Sequence, residues 1–538
     1  MLMRNVLLAC FFTTNFAASL SSSPIAGAIY NVNLSSLGPS YAGVGAQSTA
    51  GTSRLLIDYP LGQRASVLDF LFKPQFGASL QHFKVEIGGD AQISCGAEAS
   101  GQRTANSSEV NWEVGYEGWL MAEAKARNPD IEFLGLVYAW PSWVNPSGKY
   151  ASPFETPETE GNAALYMTNW VRGMRDVYNV SIHWVGLWNE REYTVSYVLT
   201  LRDALDAAGF ADTKILSSDR FWDPISTDYM ASAALRNATG ALAAHGSNCG
   251  VDGTGQYGPC SHPNTIAAHQ EYGVPLYSTE DFTCWADDNA AVYWMSKLNS
   301  NFIGGNVTFF SAWYMITAYY PSYAFWNEGL MRATQPWSGH FVLSPSLWAT
   351  AHYTQFTQLH GWRYIKQGQG SGALEGGGTY VTLVDALGNI TMVIEAASDG
   401  GLKDWSSHNC NSGGLGLNYR PVADVQNATF VFTGAVIPQS LALWRSRFLR
   451  GNRNASSIFE RLPDVLVNKA GLISLAVEPD AVYTLSTFPG ASKQEPAIVP
   501  PSTPFPLPYA DDFEGLPVGR PGQCACTRLR THTQLNYP

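Results

Sequence analysis

The chain has 538 residues, of which 45% are hydrophobic, 13% aromatic and 14% charged. This composition excludes a disordered tail or a coiled coil and leaves room for several domains. Thirty-two Lys and Arg against 44 Asp and Glu give a net charge of −12, a surface that repels a phosphate backbone, so no nucleic-acid partner is expected.

The chain opens on a short basic start at Met1 to Arg4, an apolar run from Val6 to Phe12 and small residues at Ala17 and Ala18. This pattern reads as a secretory signal peptide over residues 1–20. No later stretch reaches the ~18 uninterrupted apolar residues of a transmembrane segment. Eight N-x-S/T sequons, at Asn33, Asn106, Asn179, Asn237, Asn306, Asn389, Asn427 and Asn454, fit the same secretory route, lysosomal or extracellular. Disulfides are permitted there. Cys249 and Cys260 flank a Gly-rich loop and are expected to pair, Cys284 and Cys410 are a candidate long-range pair, and Cys95, Cys524 and Cys526 have no assigned partner. No CxxC pair or HExxH motif is present, so no metal is expected. Gly368–Gly378 lacks GxGxxG and precedes a strand, and no cofactor is expected.

Between Tyr41 and Trp313, short β-branched and aromatic runs alternate with helix-like sequence. Strands are expected at Ala42–Ala46, Phe83–Ile87, Ile131–Tyr138, Ile182–Trp188, Lys214–Ser218, Leu242–His245, Pro275–Ser278 and Val307–Trp313. Several are apolar on both faces, as a parallel strand under helices requires. Glu117 to Arg127, stopped by Asn128-Pro129, reads as one crossover helix. Eight such units give an α/β fold, a (β/α)8 TIM barrel over residues 41–336, with a doubly wound open sheet as the alternative. After Trp337 the period changes to that of hairpins, with strands at Tyr380–Asp385, Ile390–Glu395, Ala428–Phe432, Leu441–Trp444, Leu472–Val477 and Ala481–Thr487. Residues 24–40 and 337–490 are therefore read as a β-sandwich with no helix between its strands. Residues 491–508 carry six prolines and read as a linker. Residues 509–538 open a further domain but are too few to form a core.

Catalytic groups of a barrel lie at the C-terminal ends of its strands. Two strands run into carboxylates there: Trp188 into Asn189-Glu190-Arg191, and Thr279 into Glu280-Asp281-Phe282. An isolated Asn-Glu after a strand is more often a helix cap or a solvated turn. A pair of them facing one cleft suits glycosidic hydrolysis, which needs one carboxylic acid for the leaving oxygen and one carboxylate for the oxocarbenium-like centre. Asn189 can donate to a sugar 2-hydroxyl, and Arg191 reads as a charge-balancing neighbour. Flat sugar faces match aromatic rings; candidates are Tyr138, Trp140, Trp143, Trp188, Trp313, Tyr319, Tyr320, Tyr323, Phe325 and Trp326. Most are expected in the core, with Tyr138 and Trp313 placed for the cleft. His245, ending a barrel strand, could touch substrate or satisfy a buried backbone group.

At these residues the sequence resembles the galactocerebrosidase (galactosylceramidase) family of retaining β-galactosidases. The resemblance is carried by Gly51–Pro60, Phe83–Asp90, Trp119–Ile131, Trp188-Asn-Glu-Arg191, Ser278-Thr-Glu-Asp-Phe282, Gln335–His340 and His352–Gln358. It implies a barrel, an associated β-sandwich and a C-terminal lectin-like domain, of which the segment from residue 509 would be a truncated start. It implies Glu190 as acid/base and Glu280 as nucleophile, with galactose contacts on Ser94, Tyr138, Asn189, Trp313, Phe325 and Arg420. It also implies a glycosphingolipid substrate and a saposin-type lipid-presenting partner. Tyr138 stands where the family has tryptophan, Thr283 where it has serine, and the family's aromatic after the eighth strand aligns with Phe325 or Tyr323. The loop holding Cys249 and Cys260 reads as an insertion. Alternatives are a catalytically impaired carbohydrate-binding protein and the same mechanism on another β-glycoside. An acidic compartment would ask for a raised Glu190 pKa, to keep it protonated near pH ~4–5.

Overall fold

Runs that are apolar on both faces need cover on both sides, and the chain supplies it by closing eight of them into a parallel barrel. In the computed structural model, residues 27–509 are described, apart from 92–95, 149, 251–257, 284–287, 321–324, 326–327, 399–419, 435, 450–455 and 496–497. The expected signal peptide, Ser94, Cys95, Cys284, Tyr323, Trp326, Cys410, Asn454 and the segment from residue 510 lie outside the described residues. The barrel strands are β1 (Val44–Ser48), β2 (His82–Ile87), β3 (Glu132–Val137), β4 (Trp184–Val185), β5 (Lys214–Arg220), β6 (Thr239–His245), β7 (Leu276–Phe282) and β8 (Val307–Trp313). They pair in that order, and β8 pairs with β1 to close the ring.

Strand β8, Val-Thr-Phe-Phe-Ser-Ala-Trp, is buried at every position, as expected for a strand between barrel interior and helix layer. The expected Ile182–Trp188 strand contracts to two residues. Beyond Val185 the chain faces β5 through Gly186, where a Cβ would lie 2.1 Å from Asp219 Oδ2. The backbone still follows β3, since the Gly186 amide donates to the Gly135 carbonyl and the Asn189 amide to that of Val137. The helix at Pro157–Tyr178 starts where its sequence says it should, with a Thr156–Thr159 capping box and proline in its first turn.

The β-sandwich draws on both ends of the chain. A three-stranded sheet joins Ala28–Asn33, Gln426–Thr433 and Leu472–Val477. The larger sheet runs Leu37–Ser40, Trp362–Ile365, Thr379–Asp385, Ile390–Ala396, Ala481–Ser486, Ser440–Arg447 and Ser457–Leu466. Tyr30, Tyr380 and Phe430 pack between the two sheets in tilted and edge-on pairs, with ring centroids 5.2 to 5.3 Å apart. The strand Ser457–Leu466 contains Pro463 and takes the sheet edge, where proline costs no ladder bond.

The region does contain a helix between strands, Pro345–Thr354, contrary to the sequence expectation. It is buried on all sides, from Ser346 to Thr354, so it lacks the polar stripe by which an amphipathic helix is recognised. It lies between barrel and sandwich. There His352 is fully buried, with Nδ1 2.8 Å from Thr484 Oγ1 and Nε2 2.8 Å from Ser446 Oγ. Burial pushes its pKa down to about 3.

The proline-rich segment docks instead of hanging free. Trp337 Nε1 donates to the Thr503 carbonyl at 2.9 Å, His340 Nδ1 lies 2.8 Å from the Pro500 carbonyl, and Phe505 packs edge-on against Trp337. Proline lacks an N–H but keeps its carbonyl, so the segment can be held by donors from the neighbouring surface.

Candidate active site

The C-terminal rim of the barrel gathers Glu190 after β4, Asp219 on β5, His245 on β6, Glu280 on β7 and Lys84 on β2. The Glu190 amide donates to the Asp219 carbonyl at 3.1 Å, and both residues hold left-handed backbone, φ 52° and 64°. That turn lifts the Glu190 side chain over the cleft, where it is 62% exposed. The Glu280 side chain is 9% exposed, while those of Lys84 and Asp219 are fully buried.

Buried charges require partners, and these groups supply them to one another. Lys84 Nζ lies 3.5 Å from Glu280 Oε2, 3.9 Å from Asp219 Oδ1 and 3.1 Å from the Thr279 carbonyl, to which it donates. Thr279 Oγ1 donates to Asp219 Oδ1 at 2.5 Å. The ring of His245 lies at the centre: Nδ1 is 3.6 Å from Glu190 Oε1 and 3.5 Å from Glu280 Oε2, and Nε2 is 3.5 Å from Asp219 Oδ1. Because both oxygens approach the same nitrogen, Glu190 Oε1 and Glu280 Oε2 are at most about 7 Å apart. This gap is on the scale that glycoside hydrolysis uses between its two carboxyl groups, ~5–9.5 Å.

The electrostatics follow from this packing. Burial works against a charged His245, but Glu280, with Asp219 and Glu190, outweighs burial and Lys84 and pushes its pKa up to about 9. His245, with Nδ1 3.6 Å from its carboxylate, holds Glu190 below its ordinary value, against the opposing effect of burial. The expectation of a raised Glu190 pKa is therefore corrected: the sequence could not show a histidine brought beside it from β6. Burial tends to raise Asp219, yet His245 and Lys84 hold it low. Burial, then the charge of Glu280, pushes the Tyr138 phenol well above its ordinary value, so it stays a donor. Its hydroxyl donates to Glu280 Oε2 at 3.3 Å.

Asn189 sits beside Glu190 with its side-chain Oδ1 buried and without a partner among the described residues. Trp313 ends β8 and packs against Phe325, ring centroids 4.9 Å apart. Thr283 holds this corner through its amide and hydroxyl, which both donate to the Trp313 carbonyl. Trp140 and Trp188 belong to the core and pack on each other and on Phe154; the Trp188 indole donates to the Tyr138 carbonyl at 3.2 Å and so braces the cleft from below. Arg191 lies over Trp188, 6.0 Å from the ring centroid. Arg420 is exposed on the sandwich, its carbonyl accepting from Gly378, and shows no contact with either carboxylate among the described residues. Cys249 and Cys260 form a disulfide, with Cα atoms 5.9 Å apart.

Sequence reasoning missed Lys84 and Asp219. The one available signal for Lys84 was that two charges, Lys84 and Glu86, stand inside Phe83-Lys84-Val85-Glu86-Ile87, a strand buried at all positions. Among the described residues no group of His, Cys, Asp or Glu has a metal-binding arrangement.

The chain is similar to known proteins. Galactocerebrosidase of Mus musculus is 36% identical over 482 residues and that of Homo sapiens 37% identical over 484 residues. Each match takes in 89% of this chain but 65% of the relative, so the chain spans slightly less than two thirds of their length. Among solved structures, the catalytic domain of GH30 xylanase C from Talaromyces cellulolyticus superposes with a TM-score of 0.60 at 15% identity, covering 85% of this chain and 99% of that one. SrfJ from Salmonella typhimurium gives 0.61 at 13% identity, covering 86% and 92%. These two show the fold, a (β/α)8 barrel carrying a β-sandwich. Residues 41–355 match Glycosyl hydrolase family 59 and residues 364–492 match the Glycosyl hydrolase family 59 central domain, and the chain belongs to that family.

Proposed function

We propose that the chain is a retaining β-galactosidase that hydrolyses galactosylceramide and related β-galactosyl sphingolipids. The observation that carries this reading is the placement of Glu190 and Glu280 about one nitrogen of His245, within about 7 Å of each other, in a chain of this family. In the first step a Glu280 oxygen attacks the anomeric carbon, the bond to the aglycone oxygen breaks, and Glu190 gives that oxygen its proton. In the second step Glu190 takes a proton from water as the water oxygen attacks the same carbon, and Glu280 leaves as a carboxylate.

The remaining residues serve this chemistry. Lys84 and Tyr138 face the Glu280 carboxylate. Asn189 is read as the contact to the 2-hydroxyl, Trp313 and Phe325 as an apolar face for the sugar, and Ser94 and Arg420 are assigned to galactose by resemblance alone. A ceramide embedded in a membrane must be lifted to bring its anomeric carbon between these carboxylates, a need that a saposin-type lipid-presenting protein meets. Exposed sequons at Asn106, Asn179, Asn237 and Asn427 and the Cys249–Cys260 disulfide support N-glycosylation and a secretory route, lysosomal or extracellular.

A panel of aryl and lipid glycosides tests the reading. Turnover of β-galactosides, including galactosylceramide, with loss of that turnover in Glu280→Gln, is expected. Binding of galactosides without turnover would assign the chain to the carbohydrate-binding alternative, and turnover of another β-glycoside alone would reassign its substrate.

A further inference from the structure

The hydrogen on His245 Nδ1 has two competing acceptors. The His245 side chain is 7% exposed and is faced by Lys84, Asp219, Glu190 and Glu280. On one edge of the ring, Nε2 lies 3.3 Å from Lys84 Nζ and 3.5 Å from Asp219 Oδ1. On the other, Nδ1 lies 3.6 Å from Glu190 Oε1 and 3.5 Å from Glu280 Oε2, between the two and slightly farther than a formed hydrogen bond from each. Whether Nε2 accepts from Lys84 or donates to Asp219, Nδ1 carries a hydrogen, because a bare Nδ1 would point its lone pair at the Glu280 carboxylate.

The mechanism proposed above changes those two acceptors in opposite directions. Glu280 is a carboxylate before attack and a neutral ester after it, whereas Glu190 becomes a carboxylate as the aglycone leaves. Charge-assisted hydrogen bonds are the stronger ones, so a donor placed between the two groups follows the charge. Resting on that reading of the two glutamates, we propose that His245, held in place by Asp219, is a positioning residue whose Nδ1–H lies between Glu280 and Glu190 before attack and closes on Glu190 alone once Glu280 is esterified, and so keeps Glu190 in the form that can take a proton from water.

The surroundings are built to hold Asp219 in this role. Its carbonyl accepts from the Glu190 amide, its Oδ1 accepts from Thr279, and Gly186 leaves room for Oδ2 where a Cβ would lie 2.1 Å away. The low Asp219 pKa and the high His245 pKa agree with an anchored charge pair.

The test uses His245→Gln and Asp219→Asn in the full chain, with an aryl β-galactoside whose leaving group departs without acid help. The proposal expects kcat to fall about tenfold or more in His245→Gln while kcat/KM changes less than about threefold, because only the second step is slowed. Galactosyl-enzyme should then accumulate on intact-mass analysis. Azide, a nucleophile that needs no base, should restore kcat, and Asp219→Asn should show the same split to a smaller degree. Equal losses in kcat and kcat/KM without accumulated adduct, or an unchanged kcat, would overturn the proposal. A parallel labelling with a fluoro-galactoside separates the two layers. If unmodified protein is labelled on Glu280 and the variants show no split, only the His245 role fails; if it is not labelled there, the reading of the glutamates fails and takes this one with it.

Discussion

Glu190 and Asp219 are locked to each other by a 3.1 Å backbone hydrogen bond in which both residues hold positive φ. A side chain in left-handed backbone costs roughly 1–2 kcal/mol, which glycine avoids. Functional sites tolerate such strain where it aims a group. Glu190→Gly is therefore expected to unfold at a higher temperature than Glu190→Ala, by about 1 kcal/mol of stability, although both should lose turnover. Thermal unfolding of the two variants checks this, and equal stability would show that the turn stores no strain.

The acid/base role of Glu190 predicts a split by leaving group. In Glu190→Ala, kcat/KM for substrates with poor leaving groups should drop by about 10²–10⁴. Substrates with good leaving groups should be cleaved in the first step nearly as before. Azide should then yield β-galactosyl azide, detectable by mass and by the retained anomeric configuration.

His245 holds Glu190 low, and removing that influence moves the Glu190 pKa upward. Glu190 must be protonated for the first step, so the descending limb of kcat/KM against pH reports its ionisation. That limb should shift to higher pH in His245→Gln. A pH–rate profile checks the sign, and a shift to lower pH would contradict the electrostatic account of the site.

The fold has its own pH dependence. His352 is buried with a pKa of about 3 against an ordinary 6.5, so the unfolded chain binds a proton that the folded chain refuses. Its contribution is full above pH 6.5 and is lost as pH falls toward about 3, at about 1.4 kcal/mol per pH unit. Glu86 has the opposite sign: burial pushes its pKa up to about 8 from 4.5, so stability is lost as pH rises across that interval. Thermal unfolding across pH should show His352→Gln flattening the acid side and Glu86→Gln flattening the neutral side.

Tyr138 donates to Glu280 Oε2, and a hydrogen bond to a charged group contributes ~1.5–3 kcal/mol. Tyr138→Phe is expected to slow the first step by about tenfold to a hundredfold. Steady-state kinetics with an aryl β-galactoside checks this.

Much of the barrel was legible in the sequence because strands buried on both faces leave continuous apolar runs. The Val307–Trp313 strand has the bounds that the pattern gave it, and Glu190 and Glu280 were found because both follow such runs directly. The helix Pro345–Thr354 was not legible, since a segment buried all round has no amphipathic period. Nor was the depressed Glu190 pKa, which arises from a residue 55 positions away in the chain. Lys84, Asp219 and His245 come from three strands and share no local motif; His245 was marked by ending its strand and Lys84 by being one of two charges inside β2, while nothing marked Asp219.

The direct measurement is covalent trapping. Incubation with a mechanism-based fluoro-galactoside, followed by intact-mass analysis and peptide mapping, should give one galactosyl adduct, carried by Glu280 and absent from Glu280→Gln. An adduct on another side chain, or full turnover of an aryl β-galactoside by Glu280→Gln, would contradict the account.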